Sequence, residues 1–388
     1  MTPPRAARPF ASFFLGGFEC SSHKRLDGTR LDLLSSTGHA DHAARDYACL
    51  AEHGIRAARD GLRWHLIERT PGRYDWSSLE AQLRAAHATG TQILWDLCHY
   101  GLPEDLDIWS AAFVDRFADY AAAAARVIGD ATPSAPFYCP VNEISFWAWA
   151  GGEVGRFNPV CHGRGAELKR QLVRATIAAV DAVRSVDRRA RFLTAEPLIA
   201  VEPGLGDDAH RRAAEIYHEA QFEVLDMISG RMEPELGGSP ELVDLVGLNY
   251  YPENQWYHGG PTIPIGHHAY RPLQDLLADA HRRYGRPIFL AETGAEGCGR
   301  ASWLHYVCGE VLSAIESGVP VEGICLYPIL DYPGWENGRV CRVGLLTMPE
   351  RDGERQVFAP LARELRRQQE LFATAVPERP PQPISAAA

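Results

Sequence analysis

Two glutamates in this 388-residue chain each close a short apolar run: Glu143 in Pro140-Val141-Asn142-Glu143, and Glu292 in Phe289-Leu290-Ala291-Glu292. A buried strand needs the apolar run, and a carboxylate at its C-terminal tip is left facing a pocket. Two such tips can hold two carboxylates across one cavity. A carboxylate pair is the means of cleaving a glycosidic bond: one gives a proton, the other attacks the anomeric carbon or activates water. Asn142, directly before Glu143, is placed to bond a sugar hydroxyl beside the scissile bond. Arg59 ends a third run, Ile55–Arg59. A lone glutamate at a strand end is more often a capping or ion-pairing group. The combination of both glutamates with Asn142 and Arg59 is what points to catalysis.

Positioning these groups requires strands that end on one face. Short apolar runs recur at Phe13–Phe18, Ile55–Arg59, Gln92–Leu97, Phe137–Val141, Arg191–Ala195, Leu242–Leu248, Pro287–Ala291 and Val321–Leu326. Helical stripes lie between them, such as Phe113, Phe117, Tyr120 and Ala124, then Leu79, Leu83 and Ala86, and last Leu361, Leu365 and Phe372. Gly90, Gly129, Pro133, Gly285, Pro287, Gly318 and Pro320 punctuate the helix ends. Eight β-α repeats predict an α/β fold, a closed (β/α)8 TIM barrel in a single domain over residues 10–376. Residues 1–9 and the Pro- and Ala-rich tail 377–388 are expected to be disordered. The loops after the fourth, sixth and eighth runs are rich in Trp, Tyr, Gly and Pro and would build the active face.

Composition narrows the class. A net charge of −11 leaves no basic stripe for nucleic acid. Nine scattered cysteines without a C-x-x-C pair fit a reducing compartment better than a disulfide framework or a zinc site. Met1 to Phe10 carries two arginines and no apolar stretch, and Phe13-Phe14-Leu15 is too short for a signal segment. No run approaches a membrane span. The expectation is a cytoplasmic protein acting on a small-molecule glycoside, with neither nucleic acid nor membrane as partner. His65, His99, His162, His267 and His268 lack metal-ligand spacing, so neither a metal nor a cofactor is expected.

These motifs resemble the clan of (β/α)8-barrel retaining glycosidases with the acid/base on strand four and the nucleophile on strand seven. Within it, the chain is similar to glycoside hydrolase family 1, the β-glucosidase family, over about residues 13–372. Asn142-Glu143 resembles that family's acid/base pair, and Ala291-Glu292-Thr293-Gly294 its nucleophile segment. Arg59 and Trp64 keep the family's strand-two spacing, which implies that Arg59 steadies the nucleophile. His99-Tyr100-Gly101-Leu102-Pro103 resembles a His-Trp-Asp-Leu-Pro motif, implying a sugar contact for His99. Gly247-Leu248-Asn249-Tyr250-Tyr251 matches the strand-six motif, implying that Tyr251 touches the nucleophile and Asn249 the substrate. Tyr327 stands where the family has a tryptophan platform, and Trp335 aligns with a second tryptophan.

Two departures concern the sugar and leave the catalytic pair intact. The family's glutamate just before that second tryptophan is Gly334 here, with Glu336 one residue beyond Trp335. Its strand-one glutamine is absent; an ungapped match puts Lys24 there, with His23 and Glu19 nearby. The implied activity is that of a retaining exo-β-glycosidase. A transglycosidase using the same pair is the alternative within enzymes, and a catalytically silent sugar-binding barrel the alternative outside them. Glu196 could bind a hydroxyl or pair with an arginine, and Trp147 and Trp149 could line an outer subsite or pack the rim. Asp60 and Asp96 read as structural partners of Arg63 or of nearby backbone. Glycone, aglycone and oligomeric state stay open.

Overall fold

The computed structural model describes residues 8–376. Its strands in chain order are β1 (Phe14–Gly17), β2 (Ala57–Gly61), β3 (Gln92–Cys98), β4 (Phe137–Val141), β5 (Arg191–Phe192), β6 (Glu196–Pro197), β7 (Ala200–Glu202), β8 (Val246–Asn249), β9 (Gln255–Tyr257), β10 (Ile288–Thr293), β11 (Val321–Leu326), β12 (Tyr332–Pro333) and β13 (Val340–Cys341). One parallel sheet runs β5-β4-β3-β2-β1-β11-β10-β8-β6. Its two ends, β5 and β6, are halves of one barrel strand. β5 pairs with β4, and β6 pairs with β8. Between them Leu193 bridges to Leu245 and donates its amide to Tyr138. The sheet therefore closes into a (β/α)8 barrel.

Helices cover the outside through the stripes read in the sequence. The helix Ala111–Ala131 buries Phe113, Phe117, Tyr120 and Ala124. The helix Ala359–Ala375 buries Leu361, Leu365 and Phe372. Inside, Leu15, Ala57, Leu94, Phe137, Cys139, Phe289, Ala291 and Cys325 form a separate core closed from below by Phe10. The Phe10 ring lies 5.5 Å from that of Phe137 and 5.1 Å from that of Phe289. Gly17 shows the tightness: a Cβ there would lie 2.1 Å from the Tyr327 ring.

Some expectations shift. The sixth run begins with a 3-10 turn, Pro240–Leu242, and its strand starts only at Val246. Of the segments expected to be disordered, 1–7 and 377–388 lie outside the described residues. Arg8 and Pro9 are instead held, Arg8 donating to the Val376 carbonyl at 2.6 Å and Pro9 accepting from Gln92 at 3.2 Å. Asp60 accepts from the neighbouring Gly61 N–H at 2.7 Å, as one expected alternative had it, and pairs with His39 (3.0 Å) in place of Arg63; His39 also meets Asp46 (2.7 Å). Burial opposes charge on His39, yet Asp60 and Asp46 push its pKa up to about 9. Arg355 clamps Asp46 from the C-terminal side, so this buried network ties the tip of β2 to the last loop.

Candidate active site

Glu143 follows β4, and Glu292 is the penultimate residue of β10. Glu292 reaches the pocket through an irregularity. Strand alternation would put it on the face opposite Ala291. The register between β10 and β8 shifts between Leu290 and Glu292, which lets consecutive side chains turn to the same opening. Glu143 has φ 41° and ψ 62°, a left-handed conformation uncommon for a non-glycine residue. Three backbone bonds hold it there. Glu143 N–H donates to the Ala195 carbonyl at 2.8 Å, while Ile144 and Ser145 N–H donate to the Glu196 carboxylate at 2.6 and 3.1 Å.

The two carboxylates sit in different surroundings. Glu292 Oε1 accepts from Arg59 at 2.6 Å and Oε2 accepts from the Tyr251 hydroxyl at 2.8 Å. Arg59 is fully buried and also makes a fork with Asp96, at 2.9 and 2.7 Å. Among the described residues no cation pairs with Glu143. Its Oε1 accepts from Asn249 at 2.8 Å and its Oε2 from the Tyr100 hydroxyl at 2.9 Å. Burial, then the negative Glu292, push the Glu143 pKa up to about 8. Burial leaves Glu292 above its ordinary pKa as well, with Arg59, His99 and Tyr251 limiting the rise. Burial raises Asp96, but Arg59 and His99 together lower it more, so it stays below the ordinary carboxylate range.

Several expected substrate contacts are placed otherwise. Asn142 spends its amide inside the protein: Oδ1 accepts from Arg59, and Nδ2 donates to His99 Nε2 (3.0 Å) and to the Tyr100 hydroxyl (2.9 Å). His99 is likewise engaged at both nitrogens, with Asp96 at 3.2 Å from Nδ1. Tyr327 is not an open platform. Its ring is 2% exposed, with the Arg59 guanidinium 5.3 Å from its centroid. Lys24 turns outward to ion-pair with Glu104 and borders a separate 310 Å³ groove with Arg30 and Trp109. Asp96 partners Arg59 rather than Arg63. Glu196 caps the backbone after Glu143, accepting from Ile144 and Ser145 N–H, and among the described residues no arginine ion-pairs with it. Trp147 is buried and donates to the Asn158 carbonyl at 2.9 Å, a packing role; Trp149 is half-buried against Arg156. Glu336 lies exposed beyond Trp335.

Other residues do line the opening. Glu19 is 6% exposed; one oxygen accepts from Ser21 N–H and lies 4.0 Å from His99 Nε2. Trp335 packs its ring 4.6 Å from His23 and 5.9 Å from Tyr100. His23 Nδ1, Asn249 Oδ1, Tyr327 Oη and Trp335 Nε1 are buried without a partner. Buried polar atoms of this kind are expected to meet a ligand or water. The residue that sequence reasoning missed is Tyr100. Its signal was available, since it follows His99 in the strand-three motif. Among the described residues one cluster has metal-ligand types, Cys20, Asp96 and His99, with donor atoms within 4.8 Å of one another. It suits a cation poorly, because Asp96 is already forked by Arg59 and burial raises the Cys20 thiol well above its ordinary pKa.

No family model matches the chain. Beta-glucosidase 12 of Oryza sativa subsp. indica is 26% identical over a match that covers 29% of this chain and 31% of that protein, and its subsp. japonica counterpart matches equally. The match thus spans less than a third of these curated relatives. Among solved structures, the family 1 β-glucosidase of Thermotoga maritima superposes with a TM-score of 0.74 at 17% identity, over 96% of this chain and 99% of that one. Its complex with deoxynojirimycin gives 0.75 at 16%, over 95% and 99%. The complex with glucoimidazole gives 0.72 at 17%, over 87% of each. At this identity the shared property is the barrel. No helix among the described residues is long and apolar enough to cross a membrane.

Proposed function

We propose that this protein is a retaining exo-β-glycosidase that works by double displacement. The observation carrying this reading is the contrast between two carboxylates at one barrel mouth. Glu292 is held by a cation and a phenol; Glu143 has only neutral donors and a negative neighbour. Such a pair divides into nucleophile and acid/base. Glu292 attacks the anomeric carbon while Glu143 protonates the departing oxygen. Water then displaces Glu292, giving its proton to Glu143. The chain's resemblance to β-glucosidases in its motifs supports the same assignment.

The glycone is read by few charged groups. Glu19 places a carboxylate oxygen 4.0 Å from His99 Nε2, and Tyr327, Trp335 and His23 offer unpartnered polar atoms. Gly334 leaves the strand-eight loop without the carboxylate expected to grip distal hydroxyls, and Glu336 is exposed. Charge-assisted hydrogen bonds contribute about 1.5–3 kcal/mol each. Simple β-glucosides should therefore be weak substrates, and a glycone making little use of that contact, such as a deoxy sugar, a better one. A panel of aryl β-glycosides with the anomeric product followed by NMR tests the reading. First-formed product of retained β configuration supports it; an α product contradicts it.

A further inference from the structure

The two carboxylates are joined by an unbroken hydrogen-bond chain. Arg59 donates to Glu292 at 2.6 Å and to Asn142 Oδ1; Asn142 Nδ2 donates to the Tyr100 hydroxyl at 2.9 Å; Tyr100 donates to Glu143 at 2.9 Å. From Arg59 onward through Asn142 and Tyr100, each donor points towards Glu143. Tyr100 has no rotational freedom in this role: its ring is fully buried and wedged among His99, Trp147 and Phe157. It also adopts φ 66°, a conformation that costs a non-glycine residue and persists only when its surroundings impose it.

We propose that Tyr100 is a positioning residue for the second half of the reaction, its hydroxyl holding Glu143 in the ionised, base-competent form while water attacks the glycosyl-enzyme. This inference rests on the glycosidase reading. In that step the water oxygen bonds to the anomeric carbon, the bond to Glu292 breaks with its electron pair returning to Glu292, and the water proton goes to Glu143. A donor fixed on Oε2 stabilises the charge that Glu143 must carry beforehand and leaves its other lone pairs for water. Asn142, immobilised between Arg59, His99 and Tyr100, fixes the hydroxyl so that its proton points to Glu143 and not back into the core. The charged groups acting on Glu143 are Glu292 and, from β6, Glu196, both opposing its ionisation. Tyr100 and the neutral Asn249 are the side chains that favour it.

The test is Tyr100→Phe, read on a 2,4-dinitrophenyl β-glycoside of the best-accepted sugar, whose good leaving group makes deglycosylation limiting. Turnover (kcat) should fall at least about tenfold with KM falling alongside, while kcat/KM changes little. The alkaline limb of kcat/KM on a substrate needing acid assistance should move up by about one pH unit. Azide, which attacks without a base, should speed the variant and not the wild type. A fall in kcat/KM with unmoved limb and no azide effect would reduce Tyr100 to packing and overturn the proposal. If the variant does not fold, a fluorinated tyrosine at position 100 keeps the ring and makes the phenol a stronger donor; the alkaline limb must then move down, and an unmoved limb overturns the proposal. Wild-type turnover of aryl glycosides with either negative result sinks this inference alone. No turnover of any glycoside by the wild type sinks the glycosidase reading, and this inference falls with it.

Discussion

The tips of β4 and β10 carry the same side chain and differ in nearly everything around it. At β10, Glu292 accepts from a buried guanidinium that is itself braced by Asp96. At β4, Glu143 accepts only from a phenol and an amide, with Glu196 behind it tying down the following backbone. The first setting suits a carboxylate that must stay charged. The second suits one that must hold a proton near neutrality and then release it. On the proposed reading, environment and not residue type divides the roles.

The largest effect should come from Glu292→Ala, with a loss of turnover on the order of 10⁵ that azide or formate partly reverses, giving product of inverted anomeric configuration. Glu143→Ala should lose about 10²–10⁴ on alkyl glycosides and far less on substrates with good leaving groups, since only the former need protonation. Exchange of these two phenotypes would reverse the assignment.

Arg59→Met should reduce kcat/KM by about 10²–10³. It should also raise the acidic limb, because the carboxylate it serves loses the cation that lowers its pKa. The alkaline limb in the wild type should lie near pH 8, where Glu143 loses its proton. An acidic limb unmoved in the variant would detach Arg59 from the nucleophile. The smallest effect should follow Glu336→Gln: a change below about threefold on any glycoside, since this side chain stands in solvent. A larger loss would mean that it swings in to replace the carboxylate missing at Gly334.

The barrel was legible because apolar runs and helical stripes report burial directly. The break between β5 and β6 was not, since Leu193, Thr194 and Ala195 read as ordinary strand residues. The glutamates were legible as carboxylates at strand tips. Their partners were less so, because a hydrogen bond across the barrel depends on register. Asp96 looks like any strand-end aspartate until β2 and β3 align Arg59 with Leu94 and leave the guanidinium beside it. Lys24 matched by count alone, and the β1 loop carries it out to Glu104. Tyr100 stood in the strand-three motif, but its bond to Glu143 comes with a positive φ that sequence spacing does not show.

The central claim, that Glu292 is the nucleophile and Glu143 is not, is tested most directly by trapping. The wild-type protein would be incubated with a 2-deoxy-2-fluoro β-glycoside bearing a good leaving group, digested, and the labelled peptide sequenced by mass spectrometry. The account predicts one sugar per chain, attached to Glu292 in the segment Ile288–Thr293. A label on Glu143, or hydrolysis with no trapped intermediate and inverted product, would contradict it.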